Sequence, residues 1–126
     1  MSIKRIGIAI VEDAGRFLVG VRTEGQVLAG CAEFPGGKCE PDETPAACAE
    51  RECWEETGLH VRAIQLLDQR QFAYPHATVD LHFWLCQRID ASEQPLHGFQ
   101  WVDRAALASL PFPAANQHIV QLLTEA

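Results

Sequence analysis

The feature that most constrains this chain is a run of glycine, acidic and arginine positions between Gly37 and Leu59. Thr44-Pro45 is a helix start, a hydroxyl N-cap followed by proline at the first helical position, where its missing N–H is no loss. The spacing predicts a helix to about Thr57, with Gly58 as the stop that accepts a left-handed backbone. Ala49 and Cys53, one turn apart, belong to its buried stripe. Glu52, Glu55 and Glu56 stand at i, i+3 and i+4, so the carboxylates share one face and repel. A hard divalent cation removes that repulsion and is held by oxygens, which makes the face a natural Mg²⁺ or Mn²⁺ site. Arg51 lies beside these acids to brace one of them, and Glu43 can brace Arg51 or bind a water. Gly36-Gly37 lets the main chain approach a metal closely, so a carbonyl there can become a ligand.

A solvated amphipathic helix would explain three glutamates on one face equally well. The complete pattern would not arise so easily. Gly37-x5-Glu43-x7-Arg51-Glu52-x-x-Glu55-Glu56-x-Gly58 specifies seven identities. With each residue type at about one in fifteen, a chance match is on the order of 10⁻⁶. The spacing therefore carries the chemical reading, and the acids alone do not.

Around this segment the chain reads as one α/β domain over residues 1–126, a mixed sheet with helices against it. Ile6, Ile8 and Ile10 alternate, turn at Glu12–Gly15, and resume at Phe17, Val19 and Val21 as an antiparallel hairpin. Residues 23–32 read as a loop, 61–72 and the strict alternation Leu81, Phe83, Leu85 as strands, and 87–98 as a loop before a short strand at Phe99–Val102. Asp103 is the expected N-cap of a short helix over Arg104–Leu110, ended by Pro111 and Pro113. Ile119, Val120, Leu122 and Leu123 form the stripe of a packed C-terminal helix.

A net charge of -7 argues against a nucleic-acid polymer as partner, because such affinity rests on many Lys and Arg contacts to phosphates. It leaves a small phosphate ligand open, since bound metal can supply positive charge locally. Five cysteines without a C-x-x-C pair cannot form a complete disulfide framework. With no signal peptide and no membrane-length apolar run, the expectation is a cytoplasmic protein with reduced thiols and no membrane partner. Oligomeric state, monomer or homodimer, stays open.

The pattern resembles the Nudix box, G-x5-E-x7-R-E-U-x-E-E-x-G-U with U a bulky aliphatic, over residues 37–59. Every fixed position matches; Leu59 fills the last U, and Cys53 occupies the first, where the family prefers Ile, Leu or Val. The resemblance implies a mixed β-sheet sandwiched between α-helices, with the box as a catalytic loop–helix–loop. It implies Glu52, Glu55 and Glu56 as metal ligands with the Gly37 carbonyl, and Arg51 and Glu43 as support. It also implies hydrolysis of a nucleoside diphosphate linked to another moiety, by a metal-activated water.

Glu33–Lys38, Phe83-Trp84-Leu85 and Phe112–Asn116 further resemble the MutT-type members, which act on oxidised guanine nucleotides such as 8-oxo-dGTP. The likeness implies base contacts from Asn116 and Arg22, and Lys38 and Phe72 complete the expected substrate-binding set. An Asn amide donates and accepts at once, and an Arg fork meets the O6/N7 edge of guanine. Asn116 reads equally as a helix N-cap, Arg22 as a strand-end surface charge, and Phe72, Tyr74 and Trp84 as core aromatics. For the group that activates the water, Glu55 or Glu56 stand ahead of Glu93 and His97. The expected function is an Mg²⁺-dependent NTP pyrophosphohydrolase with a small nucleotide as its partner. The alternatives are a CTP or modified-dCTP enzyme, suggested by Glu40–Glu43 and Leu81-His82, and a non-catalytic nucleotide-binding module.

Overall fold

The computed structural model describes residues 3–26 and 28–125. Its strands are β1 (Lys4–Asp13), β2 (Arg16–Val21), β3 (Ala32–Glu33), β4 (Gly36–Lys38), β5 (Val61–Tyr74), β6 (Ala77–Arg88) and β7 (Gln100–Asp103). Helix α1 (Pro45–Thr57) lies between β4 and β5, and α2 (Gln117–Thr124) closes the chain after 3₁₀ turns at Arg104–Ser109 and Ala114–Asn116.

β1 organises the sheet. One edge pairs in parallel with β6, from Lys4↔Val79 to Val11↔Cys86, and β5 then pairs antiparallel with β6. The other edge is divided: Ile6–Ile8 pair with β4, whereas Glu12 and Asp13 pair with β2. β2 carries β3 and β7, so this second group of strands turns away from β1 beyond the hairpin. The division brings the short β4, and the loop that follows it, into the middle of the molecule beside α1.

Alternation along β1 builds a core on each face of the sheet. Ile8 and Ile10 pack with Phe17, Phe83, Leu107, Phe112 and Ile119 on the α2 side. Ala9 and Val11 pack with Leu18, Ala49, Cys53, Leu59 and Phe99 on the α1 side. Burying each large side chain contributes about 1.5–3 kcal/mol. The smaller residues face α1 for a steric reason: a Cβ at Gly7 would come within 2.7 Å of the Pro45 carbonyl and 2.8 Å of Cys48 Cβ. All five cysteines are free thiols, four of them buried. Among the described residues no helix is long and apolar enough to cross a membrane.

Three local expectations are corrected. The segment after Asp103 is a 3₁₀ turn, and Asp103 makes no side-chain capping bond. The β5 and β6 strands are longer than the periodicity indicates, because continuous pairing across the 74–77 turn extends both. In α2, Ile119, Val120 and Leu123 are buried but Leu122 is exposed, since a helix of this length offers only one narrow stripe to the sheet.

Candidate active site

α1 begins and ends as its sequence dictates. The Thr44 hydroxyl accepts from Ala47 N at 3.1 Å, and Pro45 occupies the first turn. Gly58 is left-handed at φ 79°, its N–H donating to Trp54 O at 2.9 Å. The buried Thr57 hydroxyl donates to Cys53 O at 2.7 Å and accepts from Leu59 N at 3.2 Å. The three glutamates are thereby presented from a helix pinned at both ends.

Arg51 is the hub of the acidic face. Its Nε and one terminal nitrogen donate to the two Glu43 oxygens at 2.7 and 2.8 Å, a bidentate pair. The other terminal nitrogen donates to Glu52 and to Glu55, both at 3.1 Å. A further bond to Lys38 O at 3.2 Å ties the guanidinium to the end of β4. The Arg51 hydrogen bonds hold the Glu43 carboxyl at a pKa of about 2, well below the usual carboxylate range.

The remaining acids are shifted the other way. Burial raises the Glu52 pKa, with Arg51 opposing. Burial also pushes Glu56 up to about 7, and the negative charges of Glu52 and Glu33 add to the rise. Glu56 accepts from Gly36 N at 3.2 Å, and the Gly37 carbonyl accepts from the Cys48 thiol at 3.3 Å. A Cβ at Gly37 would fall on the Glu52 carboxylate, so only glycine lets the acid lie against the strand.

This donor set suits a hard divalent cation. Arg51 neutralises the acids from one side only, and the residual charge is carried by carboxylate oxygens on one face. Among the described residues no three acids, His or Cys converge as a ready cage, because Glu52 and Glu55 both turn toward Arg51. An incomplete protein cage is what a cation uses when it takes the rest of its shell from water and phosphates.

Two contiguous depressions meet at this face. A cleft of about 290 Å³ has apolar walls from Ile6, Ile8, Phe34 and Val79, with Tyr74 and Asn116 on its lining. A trough of about 690 Å³ continues from it and is lined by Glu55, Glu56, Gly37, Thr23, Gln26 and His97. Arg22, Glu33, Ile6 and Gly36 line both. Arg22 donates to Glu33 at 3.1 Å across the junction, and burial keeps the Glu33 pKa raised despite that partner.

The structure thus brings Asn116 and Arg22 into one cleft that opens onto the box glutamates. Asn116 precedes α2 but makes no side-chain capping bond, so its amide is not used as a helix cap. Its segment is held by the stack of Phe112 on Phe34, 4.8 Å between centroids, and by Ala32 N donating to Pro111 O at 2.9 Å. Phe72 packs on the core and against Tyr74 at 4.8 Å, and Tyr74 rather than Phe72 lines the cleft. Trp84 packs on the opposite, α1-side core. Lys38 is exposed at the end of β4, outside the lining of both depressions. Glu93 is engaged elsewhere, accepting from His60 N at 2.8 Å and paired with the His60 ring. Glu33 is the site residue that sequence reading passed over individually; an acid just before Phe34-Pro35-Gly36 was the available signal.

Helix, glycine strand and acidic face together fit a hydrolase of phosphoanhydrides, and comparison with known proteins gives that class. The model of the NUDIX domain matches residues 7–122, and the chain belongs to the Nudix family of hydrolases. The 8-oxo-dGTP diphosphatase of Haemophilus influenzae is 33% identical over 117 residues, covering 90% of this chain and 85% of that protein. The Escherichia coli CTP pyrophosphohydrolase is 32% identical over 84 residues, 67% of this chain and 62% of that protein. The fold matches the MutT protein of Methanosarcina mazei Go1 with a TM-score of 0.81 at 23% identity, over 96% of this chain and 92% of that one. It also matches the E. coli ORF135 protein with a TM-score of 0.78 at 26% identity, over 98% of this chain and 87% of that one.

Proposed function

We propose that the protein is an Mg²⁺-dependent, MutT-like pyrophosphohydrolase that converts nucleoside triphosphates and water to NMP and pyrophosphate, with 8-oxo-dGTP as preferred substrate. The observation that carries this reading is the continuity of the Asn116 cleft with the carboxylate trough. A base in the cleft puts a phosphate chain within reach of the glutamates. The acidic wall of that trough needs cations to accept polyphosphate, and the same cations satisfy the glutamates.

Glu52, Glu55 and Glu56 would hold the metal, with the Gly37 carbonyl beside them. A divalent cation bound there neutralises phosphate oxygens and makes water a nucleophile at neutral pH. Arg51 keeps Glu52 and Glu55 oriented, and Glu43 fixes Arg51. Glu55 or Glu56 would receive the proton from the attacking water. Glu93 is occupied by His60 and does not compete for that role. In the cleft, the Asn116 amide reads a purine edge while Tyr74 and the aliphatic walls contact its faces. A nucleotide-pool enzyme of this kind would work in the cytoplasm.

The test is turnover of 8-oxo-dGTP, dGTP, CTP, 5-methyl-dCTP, ADP-ribose and a diadenosine polyphosphate, with Mg²⁺ and with EDTA. Metal-dependent pyrophosphate release, fastest on oxidised guanine, is the expected result. Fastest turnover of a cytosine nucleotide would discard the base assignment and favour the activity named for the E. coli CTP relative. Binding without turnover of any substrate would make the chain a nucleotide-binding module.

A further inference from the structure

Besides the glutamates, the trough has a lining that includes Thr23, Gln26 and Phe99. On it lies His97, in a loop that the metal and base assignments leave without a role. Its backbone is the unusual part. His97 has φ 58° and Gly98 φ 83°, and Phe99 N donates to Leu96 O at 3.1 Å across them. Two successive positive φ values closed by that bond make a type I′ turn, in which the first central position favours Asn, Asp or Gly. A histidine there is conformationally costly but is among the few side chains tolerated.

The turn is anchored on both sides. Leu96 N donates to Thr57 O at 2.8 Å, tying the turn to the last residue of α1. Leu96 also covers Gly58, where an added Cβ would meet its side chain at 2.9 Å. Phe99 is buried in the α1-side core, and its ring lies where a Cβ at Gly20 would come within 2.7 Å. The same helix end that presents Glu55 and Glu56 therefore anchors the turn that carries His97. The exposed His97 imidazole shares the lining of the trough with Glu55, Glu56, Thr23 and Gln26, and it can donate a hydrogen bond there.

We propose that His97 is a substrate-binding residue that donates a hydrogen bond to the terminal phosphate of a nucleoside triphosphate. This rests on the reading that the phosphate chain occupies the trough. A phosphate oxygen is the fitting acceptor, since hard divalent cations prefer the oxygen ligands that Glu55 and Glu56 already supply. The role would distinguish triphosphates from the corresponding diphosphates, which end short of the turn.

His97→Asn is the informative variant, because Asn-Gly is a favoured I′ pair and the turn persists without the imidazole. The expected result is a roughly tenfold to hundredfold rise in KM for the triphosphate with kcat within about twofold, the pattern of lost uniform binding. The diphosphate of the same base should be affected by less than about threefold, and the melting temperature should stay the same or rise, since Asn suits the turn better than His. Calorimetric titration of the wild type and His97→Asn with inorganic pyrophosphate and Mg²⁺ gives a readout independent of turnover. Its Kd should weaken about tenfold. Equal losses on tri- and diphosphate, or unchanged triphosphate KM and pyrophosphate Kd, would overturn the assignment. A wild type that turns over nothing would defeat the proposed function instead, and the pyrophosphate titration would still decide the role of His97.

Discussion

Arg51 shows how much one side chain can coordinate. Its guanidinium meets Glu43 through a fork, and the other nitrogen reaches Glu52 and Glu55. A lysine keeps the charge but presents a single point, so it cannot hold both sets at once. Arg51→Lys should therefore lower kcat by about a hundredfold with the fold retained, measured by steady-state kinetics beside a thermal melt. Gly37→Ala tests the neighbouring contact. The new Cβ would overlap the Glu52 carboxylate, so Mg²⁺ affinity should fall at least about tenfold in a calorimetric titration, with little change in secondary structure. Asn116→Asp asks about the base: an acidic acceptor in place of the amide should shift preference from oxidised guanine toward cytosine nucleotides. An unchanged substrate profile would remove Asn116 from recognition.

At the scale of elements, α1 is the part whose local chemistry and tertiary setting agree most closely. The Thr44 cap is a single hydrogen bond to Ala47 N, so Thr44→Ala should cost about 1 kcal/mol in a denaturant titration. Gly58→Ala should cost more, because a Cβ there meets both a left-handed backbone and the Leu96 side chain at 2.9 Å. It would also displace the turn that carries His97, so triphosphate KM should rise together with the loss of stability. The helix at Pro45–Thr57 was legible in the sequence because caps, stop and buried stripe are all local. The 3₁₀ turn after Asp103 was not legible, since proline at 111 permits either form and only packing of Leu107 in the core selects the tighter one.

For the whole molecule, the acidic site makes stability depend on pH, and a cation bound there would change that dependence. Glu56 titrates near 7 when folded and near its ordinary 4.5 when unfolded, so the folded state binds more protons across that interval. In EDTA, stability should thus be highest near pH 5 and decline as pH rises through 7. The raised Glu52 and Glu33 act in the same direction. Glu43 acts oppositely: its stabilisation by Arg51 is present above pH 4.5 and is lost as pH falls toward 2. Saturating Mg²⁺ should flatten or reverse the decline above neutrality, because it favours the ionised glutamates. Melting curves from pH 5 to 8, with Mg²⁺ and with EDTA, check this; a metal-independent slope would show that the glutamates do not bind the cation.

By itself the sequence determined the loop–helix–loop, the shared face of Glu52, Glu55 and Glu56, and the alternation that makes β1 two-sided. These follow from periods of 3.6 and 2 residues and from caps a few positions apart. Tertiary structure alone decided what depends on residues distant along the chain. It put Asn116, Arg22 and Glu33 on the lining of one cleft, and it drew Glu93 to His60. It set Tyr74 rather than Phe72 on the cleft and packed Trp84, partly buried, on the other side of the sheet. No local rule assigns such contacts, because they arise from the divided pairing of β1, which brings β4, α1 and the segment before α2 around one cleft.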